Sequence, residues 1–108
     1  MNAKEILEGI ADVFEFNPDA WCKGVVARTA NGYSTTSQDP AAVQWCAIGA
    51  FWQFTFDAPA QKAEYLARKM AGELFNMSLS DVNDKLGREA VIKVLRAAAE
   101  QAWKGAFR

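Results

Sequence analysis

From Ala41 to Phe56 the only polar residues are Gln44, Gln53 and Thr55. Leaving such a segment in water is unfavourable, so the remaining chain has to cover it. It is shorter than the ~20 apolar residues that a membrane span needs. Asp39 offers an N-cap carboxylate and Pro40 a residue suited to a first helical turn. The segment therefore reads as a helix over 40–55, apolar around most of its circumference and central to the fold. Ala42, Cys46, Gly49 and Ala50 would form a small-residue face, with Trp45, Ile48, Phe51 and Trp52 opposite.

Three amphipathic segments supply the cover. Over 3–15, Ile6, Leu7, Ile10, Val13 and Phe14 recur at helical spacing. Asn2 and Glu5 have the spacing of a capping box, and Asn17-Pro18 stops the helix because the residue before Pro avoids helical angles. A third helix starts at Asp57 or Ala58, with Pro59 in its first turn and Ala63, Leu66, Ala67, Met70 and Leu74 as its stripe. After a connector over 76–84, a last helix runs from about Leu86 to Lys104. Its stripe is Val91, Leu95, Ala98 and Ala102, flanked by Ile92, Ala99 and Trp103. Between the first two helices, Val25, Val26 and Thr29 precede Asn31-Gly32, a pair suited to a tight turn with positive φ. This predicts a hairpin over about 24–37. Two strands alone are marginal in water, so the hairpin must lean on the helices or on another chain. The expected fold is α+β, mainly α: about four helices packed around a central apolar helix (40–55) with one β-hairpin, in a single domain spanning 1–108.

Composition narrows the chemistry. The 108 residues are 51% hydrophobic and 23% charged, an ordinary globular balance. There is no histidine, which removes Ser-His-Asp and Cys-His catalysis in their usual forms and the common imidazole zinc sites. No catalytic set, metal site or cofactor motif stands out. The net charge of −1 invites neither nucleic acid nor a membrane surface. Charge is uneven, however: residues 1–57 carry 3 basic and 7 acidic side chains, and residues 58–108 carry 9 and 6. Lys85, Arg88, Lys93, Arg96, Lys104 and Arg108 make the last helix basic. A solvated helix face explains this more simply than an anion-binding surface. The acidic start lacks a signal-peptide pattern, and a cytoplasmic setting with reduced Cys22 and Cys46 is expected. Each cysteine follows a tryptophan, 24 residues apart, but the flanking sequences do not match as a repeat would.

Trp21 with Gly24, Asp39-Pro40-Ala41-Ala42, Trp45-Cys46-Ala47-Ile48-Gly49-Ala50, Asn83-Asp84, and Val91 with Leu95 together form a pattern. In these, residues 21–99 resemble an uncharacterised family of small bacterial and phage proteins. The resemblance implies a shared fold and a phage or mobile-element setting, and brings no activity with it.

The candidate binding residues are Trp21, Arg28, Tyr33, Asn83 and Asp84. Trp21 and Tyr33 fall where a hairpin would expose them, Arg28 lies between them, and aromatic residues and arginine are enriched in interfaces. For Asn83 and Asp84, capping the last helix is the simpler and preferred explanation, with a ligand site as the alternative. Cys46, about two turns into an apolar helix, reads as inert packing, and Cys22 as the more exposed thiol. Trp45 and Trp52 are expected inside. The expected function is a non-catalytic binding or inhibitory protein with a protein partner. Homodimerisation is open. The alternative is a small-molecule or enzymatic site between the hairpin and the helices, with Cys46, Asn83, Asp84 and Tyr33 as its polar groups.

Overall fold

The computed structural model describes residues 1–54 and 57–105, with side chains to residue 102. The architecture is α+β and mainly α. Helix α1 (Ala3–Phe16) starts as its sequence dictates. Asn2 Oδ1 accepts from the Glu5 N–H at 2.8 Å, and Glu5 Oε1 accepts from the Asn2 N–H at 3.0 Å. It ends at Asn17, followed by a single 3₁₀ turn over Pro18–Ala20. Helix α3 (Ala58–Phe75) is capped by Asp57, which accepts from the Ala60 N–H at 3.0 Å, and closes on Asn76 in the left-handed conformation. Helix α5 (Arg88–Gly105) packs along both. Ile6, Leu7, Ile10 and Phe14 of α1 share one core with Ala63, Leu66, Ala67 and Met70 of α3 and Val91, Val94, Leu95, Ala98 and Ala102 of α5. The expected stripes are buried, with Ile92 only partly covered and two exceptions. Val13 and Leu74 are exposed, and the side chain of Trp103 lies outside the described residues.

The hairpin forms, with strands β1 (Ala27–Thr29) and β2 (Ser34–Thr35). Its turn differs from the expected one. The Gly32 N–H donates to the Thr29 carbonyl and the Thr29 N–H to the Tyr33 carbonyl, so Ala30 and Asn31 are the central pair. Gly32 follows them at φ 85°, as the left-handed residue of a three-residue hairpin loop.

The largest correction concerns the predicted helix over 40–55. Residues Ala42–Trp45 form a strand, β3, and helix α2 begins only at Ala47 and runs to Trp52. The cap signal at Asp39 is nonetheless used. Its Oδ1 accepts from the Ala41 N–H and its carbonyl from the Ala42 N–H, making one turn that does not propagate. The residues after it are claimed by the sheet. The strand order is β2-β1-β3, all antiparallel, with Ala27 opposite Trp45, Arg28 opposite Gln44, and a register shift before Thr29 meets Ala42. The hairpin that could not stand alone thus gains its third strand from the apolar segment. The hub of the helical core is α5 rather than that segment. Among the described residues, no helix is long and apolar enough to cross a membrane.

Candidate functional site

After α3, the chain makes a short helix α4 (Leu79–Asp81), whose N-cap Ser78 accepts from the Asp81 N–H. It continues into one π turn over Val82–Leu86, closed by Gly87 at φ 96°. Such π turns are frequent at functional sites because they re-aim side chains. This one turns Asn83 inward, leaving it only 1% exposed. Asn83 Oδ1 accepts from Trp21 Nε1 at 2.8 Å and from the Ala47 N–H at 3.0 Å. Its Nδ2 donates to the Cys22 carbonyl at 3.1 Å and to Asp84 Oδ1 at 3.0 Å. All four hydrogen-bonding positions of the amide are thereby filled. Asp84 Oδ1 also accepts from the N–H of Gly24, which has φ 84°. Asn83 and Asp84 therefore cap nothing in α5. Asn83 satisfies the first N–H of α2, and both residues pin the segment that leads into the hairpin.

A second clasp lies alongside. Trp21 bridges Trp45 in the parallel sense, and the Cys22 N–H donates to the Trp45 carbonyl at 3.1 Å. The Trp45 indole N–H donates to the Ser37 carbonyl. Cys46, at the N-cap of α2 rather than two turns into a helix, accepts through Sγ from the Gly49 N–H at 3.2 Å. Its own N–H donates to the Val26 carbonyl. Of the residues that carried the resemblance, Trp21, Gly24, Trp45, Asn83 and Asp84 are thus joined through Cys22 by one set of hydrogen bonds, and Cys46 follows Trp45 at its edge.

The thiols in this set are not poised as nucleophiles. Cys22, expected to be the exposed thiol, is only 6% exposed, and burial pushes its pKa up to about 11. Burial also raises that of Cys46, outweighing the N–H donors of Gly49 and Ile48 that favour its thiolate. Both are protonated at neutral pH, whereas nucleophilic chemistry needs the thiolate. Among the described residues, no group of three or more Cys, Asp and Glu side chains is placed to hold a metal ion.

Two clefts meet at Trp52, which is 38% exposed rather than inside as expected. One, of about 220 Å³, is bounded by Gly24, Val25, Cys46, Ile48, Ser80, Asn83 and Asp84. The other, of about 630 Å³, is bounded by Thr35, Thr36, Ser37 and Gln38. Val26 and Trp52 line both. Sequence reasoning missed Trp52 because it belongs to an apolar run that reads as core, and Val26 because it reads only as part of a hairpin strand.

Of the remaining candidates, Tyr33 is 72% exposed at the hairpin turn and lines neither cleft. Arg28 reaches across the same turn to the Gly32 carbonyl at 3.0 Å. The structure thus gathers Trp21, Asn83 and Asp84 at the clasp and places Arg28 and Tyr33 on the hairpin. The basic residues of α5 are largely engaged within the fold. Arg88 donates to the Phe14 carbonyl, Arg96 pairs with Asp12 at 2.8 Å and Glu15 at 3.3 Å, and Lys93 lies over the Phe75 ring. Lys104 and Arg108 fall outside the described side chains.

No curated protein and no solved structure matches the chain. A profile for a family of unknown function, DUF6197, matches residues 1–101, and the chain belongs to that family.

Proposed function

We propose that this chain is a non-catalytic binding protein that takes an extended segment of a partner protein across Trp52 and along the free edge of β2. The observation that carries this reading is the pair of clefts sharing Val26 and Trp52 next to an unpaired strand edge. Among the described residues, β2 pairs only with β1. The Thr29 N–H donates to the Tyr33 carbonyl, and bonded and non-bonded pairs alternate along an antiparallel ladder. Ser34, opposite Arg28, therefore turns both its N–H and its C=O to the open side. An extended peptide adds to such an edge through its main chain, and neighbouring pockets read its side chains. A half-exposed indole is the kind of anchor that dominates binding energy.

The polar groups favour binding over catalysis. Asn83 is saturated by the fold's own hydrogen bonds, and both thiols are held protonated. At about 220 Å³, the cleft beside them falls below the roughly 300–1,000 Å³ of usual small-molecule sites.

The test is capture of a protein from nuclease-treated lysate of the source organism, followed by binding of peptides tiled across it. One peptide should carry the affinity. Trp52→Ala and Ser34→Pro should each weaken it at least about tenfold while keeping the native circular dichroism, since proline is tolerated on an edge strand whose N–H faces solvent. Tyr65→Ala, at an exposed position on α3, should not change it. Full affinity in both folded groove variants would place the interface elsewhere.

A further inference from the structure

The two Trp-Cys dipeptides, 24 residues apart in the sequence, lie side by side in the fold. Trp21 and Trp45 form a parallel bridge, and the Cys22 N–H bonds to the Trp45 carbonyl. The bridge is an isolated one: just beyond it the Asn83 amide takes the Cys22 carbonyl and the Ala47 N–H, so Cys22 and Cys46 flank the point where the two chains part, one residue past the bridged pair. Bridged strands lie about 4.7–4.9 Å apart, so two residues at the end of such a bridge are within reach of the roughly 4.4–6.8 Å Cα separation of disulfides. The two thiols are close enough that charge on Cys46 opposes ionisation of Cys22. Neither is in a disulfide. Their access differs: Cys46 lines the small cleft together with Gly24, Ser80 and Asp84, whereas Cys22 does not line it.

We propose that Cys22 and Cys46 form a dithiol modification site that small organic disulfides oxidise to an intramolecular disulfide. Cys46 Sγ loses its proton and attacks one sulfur of the reagent R–S–S–R. The reagent's S–S bond breaks, RS⁻ departs and is protonated, and Cys46 carries a mixed disulfide. Cys22 Sγ then loses its proton and attacks the Cys46 sulfur, releasing the second RS⁻. Two protein thiols are oxidised and one reagent disulfide is reduced to two thiols. A cleft of about 220 Å³ admits a small reagent, and the Asp84 carboxylate at its wall favours a cationic one. The protonated resting state of both thiols makes the reaction slow at neutral pH and faster in mild alkali. The bond ties the segment entering the hairpin to the cap of α2.

The probe is cystamine, a small dicationic disulfide. The native protein is treated with it, unfolded in acid, alkylated and weighed intact. The wild type should lose the mass of two hydrogens and both alkylatable thiols, and digestion should link the Cys22 and Cys46 peptides. Cys22→Ser should instead accumulate one cysteamine on Cys46. Indole emission should fall on oxidation, because Trp21 and Trp45 adjoin the bond, and recover with dithiothreitol. A mixed disulfide that persists in the wild type as it does in Cys22→Ser would overturn the proposal. So would two thiols that stay reduced in the native protein under conditions that oxidise the urea-unfolded chain. Both of these readings come from the wild type, so they stand even if Cys22→Ser does not fold.

Discussion

Replacing Gly49 by alanine separates two accounts of helix α2. By helix propensity alone, the change should stabilise the protein by about 1 kcal/mol. The fold predicts the opposite. A Cβ at Gly49 would lie 1.9 Å from the Val26 carbonyl oxygen, 2.8 Å from its carbon, and 3.1 Å from Ser37 Oγ. The first two are main-chain atoms, so no side-chain rotation relieves the clash. The strand entry has to retreat by about 1 Å or more, and the Cys46 N–H bond to Val26, already 3.2 Å long, is lost. Overpacking of this kind costs about 1–3 kcal/mol and a lost hydrogen bond about 1 kcal/mol. Set against the propensity gain, the net is a destabilisation of about 1–3 kcal/mol. For a domain near this size, that corresponds to a fall in Tm of roughly 5–20 °C. Gly9 is the matched control. It is an exposed glycine inside α1 with nothing within 4 Å of its would-be Cβ, so Gly9→Ala should stabilise by about 0.5–1 kcal/mol. Urea unfolding followed by far-ultraviolet circular dichroism measures both. Gly49→Ala at or above wild-type stability would refute the close approach of α2 to Val26.

Asn83→Ala leaves the Trp21 indole N–H, the Ala47 N–H and the Cys22 carbonyl without their partner, and should cost about 3 kcal/mol or more; a loss under about 1 kcal/mol in the same assay would mean that water replaces the amide. The raised pKa of Cys22 predicts an alkaline limb. The folded state keeps its proton to about pH 11 while the unfolded thiol ionises near pH 9, so the urea midpoint should fall as pH rises through that window, and Cys22→Ala should flatten the fall. Arg96→Met removes the exposed pairing of α5 with Asp12 and Glu15 and should cost about 0.2–1 kcal/mol at low salt, with the difference shrinking at high salt.

The clasp was only partly legible in the sequence. Trp21, Gly24, Trp45, Cys46, Asn83 and Asp84 all belong to motifs that stand out by residue type, but nothing in their spacing says that they meet. Asn83 finds Trp21 and Cys22 across 62 and 61 residues. Its cap-like look beside Asp84 pointed to the helix next to it, while its actual acceptor duty is to α2. The exposure of Trp52 was hidden for a related reason. An indole within an apolar run reads as core, and only the placement of α2 against the chain after β2 leaves one side of it uncovered.

What the sequence determined by itself is local. The capping box at Asn2 and Glu5, the stop at Asn17-Pro18, the Asp57 cap of α3 and the tight turn of a hairpin near Asn31-Gly32 rest on contacts within a few residues, and all of them form. The apolar stripe of α5 is likewise set by helical spacing, although its burial is supplied by α1 and α3. The tertiary structure decided the fate of the apolar segment. Asp39 and Pro40 start a helical turn, and an isolated peptide has no reason to stop it. Within the fold, β1 presents an open edge whose N–H and C=O groups need partners, and Ala42–Trp45 supplies them at the cost of one turn of helix. With those residues in the sheet, the helix starts afresh at Ala47, Cys46 becomes its cap, and Gly49 meets the Val26 carbonyl. Local propensity could not rank those outcomes, because the deciding hydrogen bonds join residues that the chain brings together only when the sheet closes.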